Sequence, residues 1–196
     1  MPRGILAFWG TLPAAHAADF DDWYNRQHLF ERTDLPGFRS GQRYRSGNRF
    51  FAWYETDTPE VLASRAYLAR LNAPTAWTRR VMPHVRGGSR GIFRVTAHVG
   101  RGRGGVAATM AGALSVAVLR ALVKQPGIVA AWQWQPVAAP RDTVESRTRR
   151  TPDRSPGPTV LIEATDRASL AAALRRRRLK AAIFPLRYAI LPTHRG

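Results

Sequence analysis

A mixed α+β fold made of two consecutive βαββαβ units is what the 196-residue sequence predicts, on three observations. Runs with β-strand character and runs with helical spacing follow one another in the order β-α-β-β-α-β twice along the chain. A Pro-Gly stop recurs at the same place in each half: Leu35-Pro36-Gly37-Phe38 and Gln125-Pro126-Gly127-Ile128 each precede a second strand. An acidic strand end that leads into a helix start also recurs, as YETDTPEVLAS and IEATDRASLAA. Two units of roughly 95 residues are each within the usual size of a domain.

In the first half, GILAFWGTL (residues 4–12) is apolar and β-favouring and ends at Pro13. Residues 14–34 carry Phe20, Trp23, Tyr24, His28 and Leu29 at helical spacing, with Asp19, Asp21 and Asp22 suited to the first turns. Phe38 to Arg45 is a strand, Ser46-Gly47-Asn48 a turn, and RFFAWYET (residues 49–56) a second strand. Thr58-Pro59-Glu60 has the form of N-cap, N1 and N2 of a helix that runs to about Met82, interrupted near Asn72-Ala73-Pro74. Arg90 to Val99 is the fourth strand. In the second half, Gly105 to Ala111 is a strand, Ala113 to Lys124 a helix, and IVAAWQWQPV (residues 128–137) an alternating strand. Residues 138–158, rich in Pro, Arg, Ser, Thr and Asp, are expected to form a long mobile loop. TVLIEAT (residues 159–165) is a strand, Asp166 caps a helix to about Lys180, and Ile183 to Leu191 is the last strand. The division is therefore 1–98, a linker at 99–104, and 105–196.

Composition excludes several chemistries. With no cysteine, disulfides, thiolate catalysis and cysteine-based zinc or iron–sulfur centres are ruled out. No run approaches the ~20 apolar residues of a membrane-spanning helix. The first strand follows Arg3 and Ala15-His16-Ala17 resembles a cleavage site, but the apolar stretch is short, carries Trp9, Gly10 and Thr11, and is needed as a strand; the expectation is a cytoplasmic protein. The net charge of +18 comes from 29 Arg and 2 Lys against 13 acidic residues. Residues 1–98 carry 14 basic and 8 acidic side chains, residues 99–196 carry 17 and 5. The run Arg175–Arg178 with Lys180 suits either a solvated helix end or an anion site. An arginine-for-lysine skew in a chain rich in Ala, Gly and Pro fits coding bias as well as phosphate binding, so nucleic acid is not the expected partner.

The segment DFDDWYNRQHLFER (residues 19–32) followed by LPGF resembles the dimeric α+β barrel superfamily of ferredoxin-like units, and within it EthD-like and related bacterial proteins. APTAWTRRVMPH (residues 73–84) resembles a second segment of such proteins. In single-unit relatives two chains pair their sheets into a barrel. The resemblance implies that here two tandem ferredoxin-like repeats close an α+β barrel within one chain, as a pseudo-dimer, present as a monomer or a homodimer. It also implies a small-molecule pocket, although fold alone does not fix a reaction. Relatives include small monooxygenases, isomerases, dehydratases and haem enzymes.

On the resemblance, His28 is the first candidate for catalysis, with Tyr24 one helical turn before it. Histidine's ordinary pKa suits proton transfer near neutrality, though a buried structural histidine would look the same in sequence. Trp23 adjoins them. Arg43, Trp53 and Tyr54 lie on the two strands expected at the centre of the first sheet. Side chains alternate between faces along a strand, so Phe51, Trp53 and Glu55 share one face and Phe50, Ala52 and Tyr54 the other. The sequence does not say which face is inward; an inward Tyr54 or Arg43 could bind a phenolic, carboxylate or enolate oxygen. Trp77 and His84 fall in the second matched segment. Trp132 and Trp134, two apart, could wall an aromatic pocket or cover helices. The five histidines are far apart in sequence, so no metal site is expected. GRGRGG (residues 100–105) lacks the ending of a phosphate loop. The expected function is cofactor-independent chemistry on an aromatic or polyketide-like substrate, either proton transfer (isomerase, dehydratase or cyclase) or monooxygenation. A haem protein and a non-enzymatic module using the Arg-rich half are the alternatives. The second half lacks the Trp-Tyr–His pattern, which predicts one asymmetric site per chain.

Overall fold

Eight antiparallel strands close on themselves in a computed structural model that describes residues 1–138, 142–149 and 152–191. The strands are β1 (Gly4–Thr11), β2 (Phe38–Ser46), β3 (Arg49–Thr56), β4 (Arg86–Gly100), β5 (Val106–Ala111), β6 (Ile128–Pro136), β7 (Thr159–Ala164) and β8 (Ala182–Ile190). Their order around the barrel is β1-β3-β2-β8-β5-β7-β6-β4, with β4 returning to β1. Counted first to fourth within each half, the strands run fourth-first-third-second in both: β4-β1-β3-β2 and β8-β5-β7-β6. The halves join where β2 pairs β8 and β4 pairs β6. Closure leaves no sheet edge to be covered.

The helices are α1 (Ala17–Trp23), α2 (Leu29–Thr33), α3 (Arg65–Asn72), α4 (Ala76–Val81), α5 (Val116–Val123), α6 (Val144–Arg147) and α7 (Arg167–Arg176). The helix expected over 14–34 is interrupted: Tyr24–His28 is a π-helical turn between α1 and α2. Such turns widen the coil locally and are common at functional positions. The helix expected to start at Thr58 starts later. Pro59–Ala63 is a 3-10 turn, and Ser64 is the residue whose hydroxyl accepts the Tyr67 amide at 3.2 Å and caps α3. β4 is longer than its apolar run. Arg86 and Ser89 pair with β1, and Val99 and Gly100 pair with β6, so the first two linker residues are strand. α7 ends at Arg176, before an exposed Arg178 at φ 53.

Three apolar clusters form the interior. One lies between the helices of the first half and the outer face of its strands, and contains Phe20, Trp23, Tyr24, Phe50, Ala52 and Tyr54. A second fills the barrel: Tyr44, Phe51, Trp53, Phe93, Trp132, Trp134 and Phe184 are its large rings. The third lies beneath α5 and α7. This resolves the faces of β3: Phe51, Trp53 and Glu55 point inward, Phe50, Ala52 and Tyr54 outward. The inward Tyr54 or Arg43 entertained from sequence is not found. Tyr54 packs under the helices, and Arg43 reaches Asp21 at 2.5 Å and Asn25 at 3.1 Å on the helix side. Nor do Trp132 and Trp134 wall a pocket. Their rings are 5.5 Å from that of Trp53 and they are packed as core. Among the described residues no helix is long and apolar enough to cross a membrane.

Candidate functional site: a covered cavity on the outer face of the barrel

The segment after β6 is not a free loop. Val137 donates its amide to Ile92 O at 2.9 Å, which carries the chain along the outside of β4. Thr143 and Ser146 cap α6 reciprocally. Arg154 pairs with the backbone of β4, its amide on Gly88 O at 2.9 Å and its carbonyl on the Arg90 amide at 3.0 Å. α6 is tied to the first half twice: Val144 N donates to Asn72 Oδ1 at 3.1 Å, and Arg32 Nη2 donates to Glu145 Oε2 at 2.5 Å. A segment of the second half thus covers the helix layer of the first.

Beneath this cover is a cavity of about 610 Å³, within the range of small-molecule sites. Leu71, Ile92, Val137 and Pro156 give it an apolar floor, and Arg90, Glu145, Arg149 and Asp153 line its wall. The wall charges are arranged in pairs. Burial opposes ionisation of Glu145, but the Arg32 guanidinium overrides it and holds the carboxyl below the usual carboxylate range. Arg149 Nη2 lies 2.6 Å from Asp153 Oδ2, with both side chains largely buried. There burial dominates: it pushes the Asp153 carboxyl up in spite of Arg149 and Arg90. Arg90 Nη2 donates to the Tyr67 hydroxyl at 2.9 Å.

The residues singled out from sequence are distributed over three places, and none of the ten lines this cavity. Trp23, Tyr24 and His28 do converge. The His28 ring is stacked on Trp23 at 4.1 Å and meets Tyr24 edge-on at 4.9 Å. His28 Nδ1 is 3.8 Å from Glu31 Oε2 and has no hydrogen-bond partner among the described residues. Burial, then the neighbouring Arg32, hold its pKa below the ordinary histidine value, and burial raises the phenols of Tyr24 and Tyr54. Arg43 joins this group, its guanidinium 5.7 Å from the Tyr24 ring centre. Trp53, Trp132 and Trp134 are in the barrel interior. Trp77 and His84 are elsewhere on the helix layer: Trp77 Nε1 donates to Asp19 at 2.7 Å, and His84 stacks on His16 at 3.5 Å. His194 lies outside the described residues. Among the described residues no three His, Cys, Asp or Glu side chains converge as a metal site. Glu145, Arg149 and Asp153 were not singled out from sequence. The signals that could have found them are the Thr143-x-x-Ser146 capping pattern and the four-residue spacing of Arg149 and Asp153.

The half-buried His98 carries a pH dependence. His98, stacked on Trp132 at 3.5 Å and bonded to Arg3 at 2.7 Å, is depressed to about 4 by burial and the two arginines beside it. A histidine depressed in the folded state favours folding above its unfolded value near 6.5, and that contribution is lost as pH falls towards the folded value. Urea denaturation is expected to show stability falling between pH 6.5 and 4, by up to about 1.4 kcal/mol per pH unit for each such histidine. His98→Phe, which keeps the stacking, should flatten the slope; an unaltered slope would exclude His98 as a source.

No protein-family model and no curated protein matches the sequence. Solved structures do match the fold. An anthrone oxidase-like protein superposes with a TM-score of 0.63 at 8% identity, over 96% of this chain and 92% of that one. A provisionally named monooxygenase from Fusobacterium nucleatum subsp. nucleatum gives 0.56 at 6% identity, over 95% and 92%. A provisionally named chlorite dismutase gives 0.56 at 14% identity, over 96% of each chain. At these identities the likeness is one of fold: an α+β barrel spanning nearly the whole chain.

Proposed function

We propose that this chain is a small-molecule enzyme of the α+β barrel type, acting without a resident cofactor on an aromatic or polyketide-like substrate. The observation that carries the proposal is the 610 Å³ cavity, with its apolar floor and its wall of paired ions. Apolar lining with a few placed polar groups is the usual form of such a site. The two halves are read as tandem ferredoxin-like repeats, supported by the shared strand order, with the second supplying both the other half of the barrel and the cover of the first half's site. On this reading there is one asymmetric site per chain, in a monomer or a homodimer. The names of the structural neighbours, an anthrone oxidase-like protein and a provisionally named monooxygenase, support the monooxygenation version of this reading. His28 and Tyr24 stand behind the wall in this proposal, next to Arg32.

For a benzylic methylene the balanced reaction takes one methylene and one dioxygen to one ketone and one water. Two C–H bonds break, one oxygen atom enters the carbonyl, the other leaves in water, and all electrons come from the substrate. Anthrone is the probe. An oxygen electrode is expected to record one dioxygen consumed per quinone formed, above the uncatalysed rate. No acceleration, together with no enzyme-dependent exchange of the methylene hydrogens in deuterated water, would remove both the oxygenase and the proton-transfer versions. A haem iron would find no imidazole in the cavity wall among the described residues, and a Soret band on reconstitution would reverse that assignment. The exposed run Arg175–Arg178 keeps an anion-binding module as the second reading. Salt-sensitive binding of a nucleic acid, without turnover, is what it requires.

A further inference from the structure

The cavity is lined by an ion pair whose hydrogen bonding is incomplete. Arg149 and Asp153 come from the covering segment, and their side chains are 7% and 11% exposed. Only one oxygen of the carboxylate is used. Among the described residues Asp153 Oδ1 has no hydrogen-bond partner, and neither does Arg149 Nε. Oδ1 can approach the backbone of β4 because residue 88 is glycine: a Cβ there would collide with it. Arg90, from β4, enters the same wall and spends Nη2 on Tyr67. Buried ion pairs repay their desolvation only when the remaining hydrogen-bonding positions are also filled. This pair is left incomplete beside a cavity of 610 Å³. The other carboxylates of the lining are taken: Glu145 is occupied by Arg32 and held below the usual carboxylate range, and Asp142 is paired with Arg147.

We infer that Asp153 is the proton acceptor of this site and that Arg90 and Arg149 receive the resulting anion, so that the cavity takes acidic hydroxyaromatic ligands and ionises them on binding. The inference rests on the cavity being a ligand site, as proposed above, and gives it a substrate class. The ligand O–H bond breaks, its electron pair stays on the ligand oxygen facing the guanidinium groups, and the proton forms an O–H bond on Asp153. No oxidant is involved in this step. The charged and titratable groups around Asp153 are Arg149 on its own segment, Arg90 on β4, Glu145 on α6 and Tyr67 on α3. Burial raises the Asp153 carboxyl above its ordinary value in spite of Arg149 and Arg90, the direction a proton acceptor needs.

The test uses 4-nitrophenol, whose phenolate absorbs at longer wavelength than the phenol. It is titrated with full-length protein at a pH where the free probe is mainly neutral. Wild type is expected to bind it saturably with appearance of the phenolate band. In weakly buffered solution wild type should ionise the probe without releasing a proton, because Asp153 takes it. Asp153→Asn and Asp153→Ser, which keep both guanidinium groups, should release one proton for each phenolate bound, and Arg90→Met should weaken phenolate binding by about tenfold or more, the scale of a charge-assisted hydrogen bond. Thermal unfolding shows which variants are folded, and either Asp153 variant suffices. No saturable binding to wild type, a bound probe that stays neutral, or proton release by wild type equal to that of a folded Asp153 variant would each overturn the assignment. The readout is independent of turnover: loss of the anthrone reaction with ionisation intact removes the oxygenase proposal alone.

Discussion

Replacing Arg103 by alanine is expected to lower the unfolding free energy by roughly 3–5 kcal/mol, the cost of stranding one member of a buried ion pair. Arg103 belongs to the stretch between the halves and reaches back into the end of the barrel. Its Nη2 lies 2.5 Å from Glu55 Oε2 and its Nη1 3.4 Å from Glu163 Oε2. The guanidinium stands 4.6 Å from the Trp53 ring centre and 5.1 Å from that of Trp132. Without it Glu55 keeps Arg3, at 2.6 Å. Glu163, fully buried, would keep only the Trp132 indole at 3.0 Å and the Tyr44 hydroxyl at 3.4 Å among its side-chain donors. Burial already pushes the Glu163 carboxyl up, with Arg103 the main opposing influence. The pH dependence follows. A carboxyl raised in the folded state destabilises when ionised, so the deficit of Arg103→Ala is full at high pH and shrinks as pH falls through the raised folded value. Guanidinium denaturation at pH 8 and pH 5 measures this, and Arg103→Ala/Glu163→Gln should recover part of the loss at pH 8. A deficit below about 0.5 kcal/mol, the range of an ordinary surface change, would show that the network contributes nothing.

Some of the chain's basic residues serve internal pairing rather than surface charge: Arg32, Arg43 and Arg103 are each engaged with carboxylates supplied by other segments, and the net +18 is carried by the remaining cations. Charge pairing over separations of 113 and 48 residues leaves no local pattern to read. Other features were local and therefore legible. The Pro-Gly stops that suggested duplication mark one repeated backbone conformation: Gly37 has φ 84 and Gly127 φ 75, the left-handed geometry that ends a helix and that glycine adopts without strain. The strands of both halves were visible because their runs are short and bounded by turn residues.

Faces were another matter. RFFAWYET is apolar at odd and even positions alike, because one face of β3 fills the barrel and the other meets the helices, leaving Phe50 through Thr56 all buried. Alternation carries information only when one side is wet. The catalytic candidates went to the helix-one aromatics and His28, where the sequence resembles other proteins. The cavity instead owes much of its wall to residues 142–149 and 152–156, whose composition reads as loop. Their contribution exists only once Arg154 pairs with β4 and Glu145 finds Arg32.

That last contact sets the second large effect. Glu145→Ala leaves Arg32, itself 1% exposed, without a carboxylate in a layer that burial and Tyr67 cannot satisfy. The loss of such a partner costs about 3–5 kcal/mol, but the covering segment can limit it by letting go. α6 has four residues, and its other ties to the body are the Val144–Asn72 bond and neighbouring backbone pairs. Local release therefore competes with global unfolding. The expected result is faster amide exchange over residues 142–149, a drop in 4-nitrophenol affinity, and a global midpoint lowered by less than the full cost. Arg32→Met strands Glu145 in the same way and should reproduce the release. The double variant Arg32→Met/Glu145→Gln removes both charges and should be more stable than either single change, so the double-mutant cycle yields a coupling energy well above about 1 kcal/mol. Additive single effects with unchanged exchange in 142–149 would mean that the cover is held by its backbone pairing with β4 and that the ion pair is incidental to it. Coupling with release would make Arg32, a residue of the first half's helix layer, the anchor by which the second half closes the site.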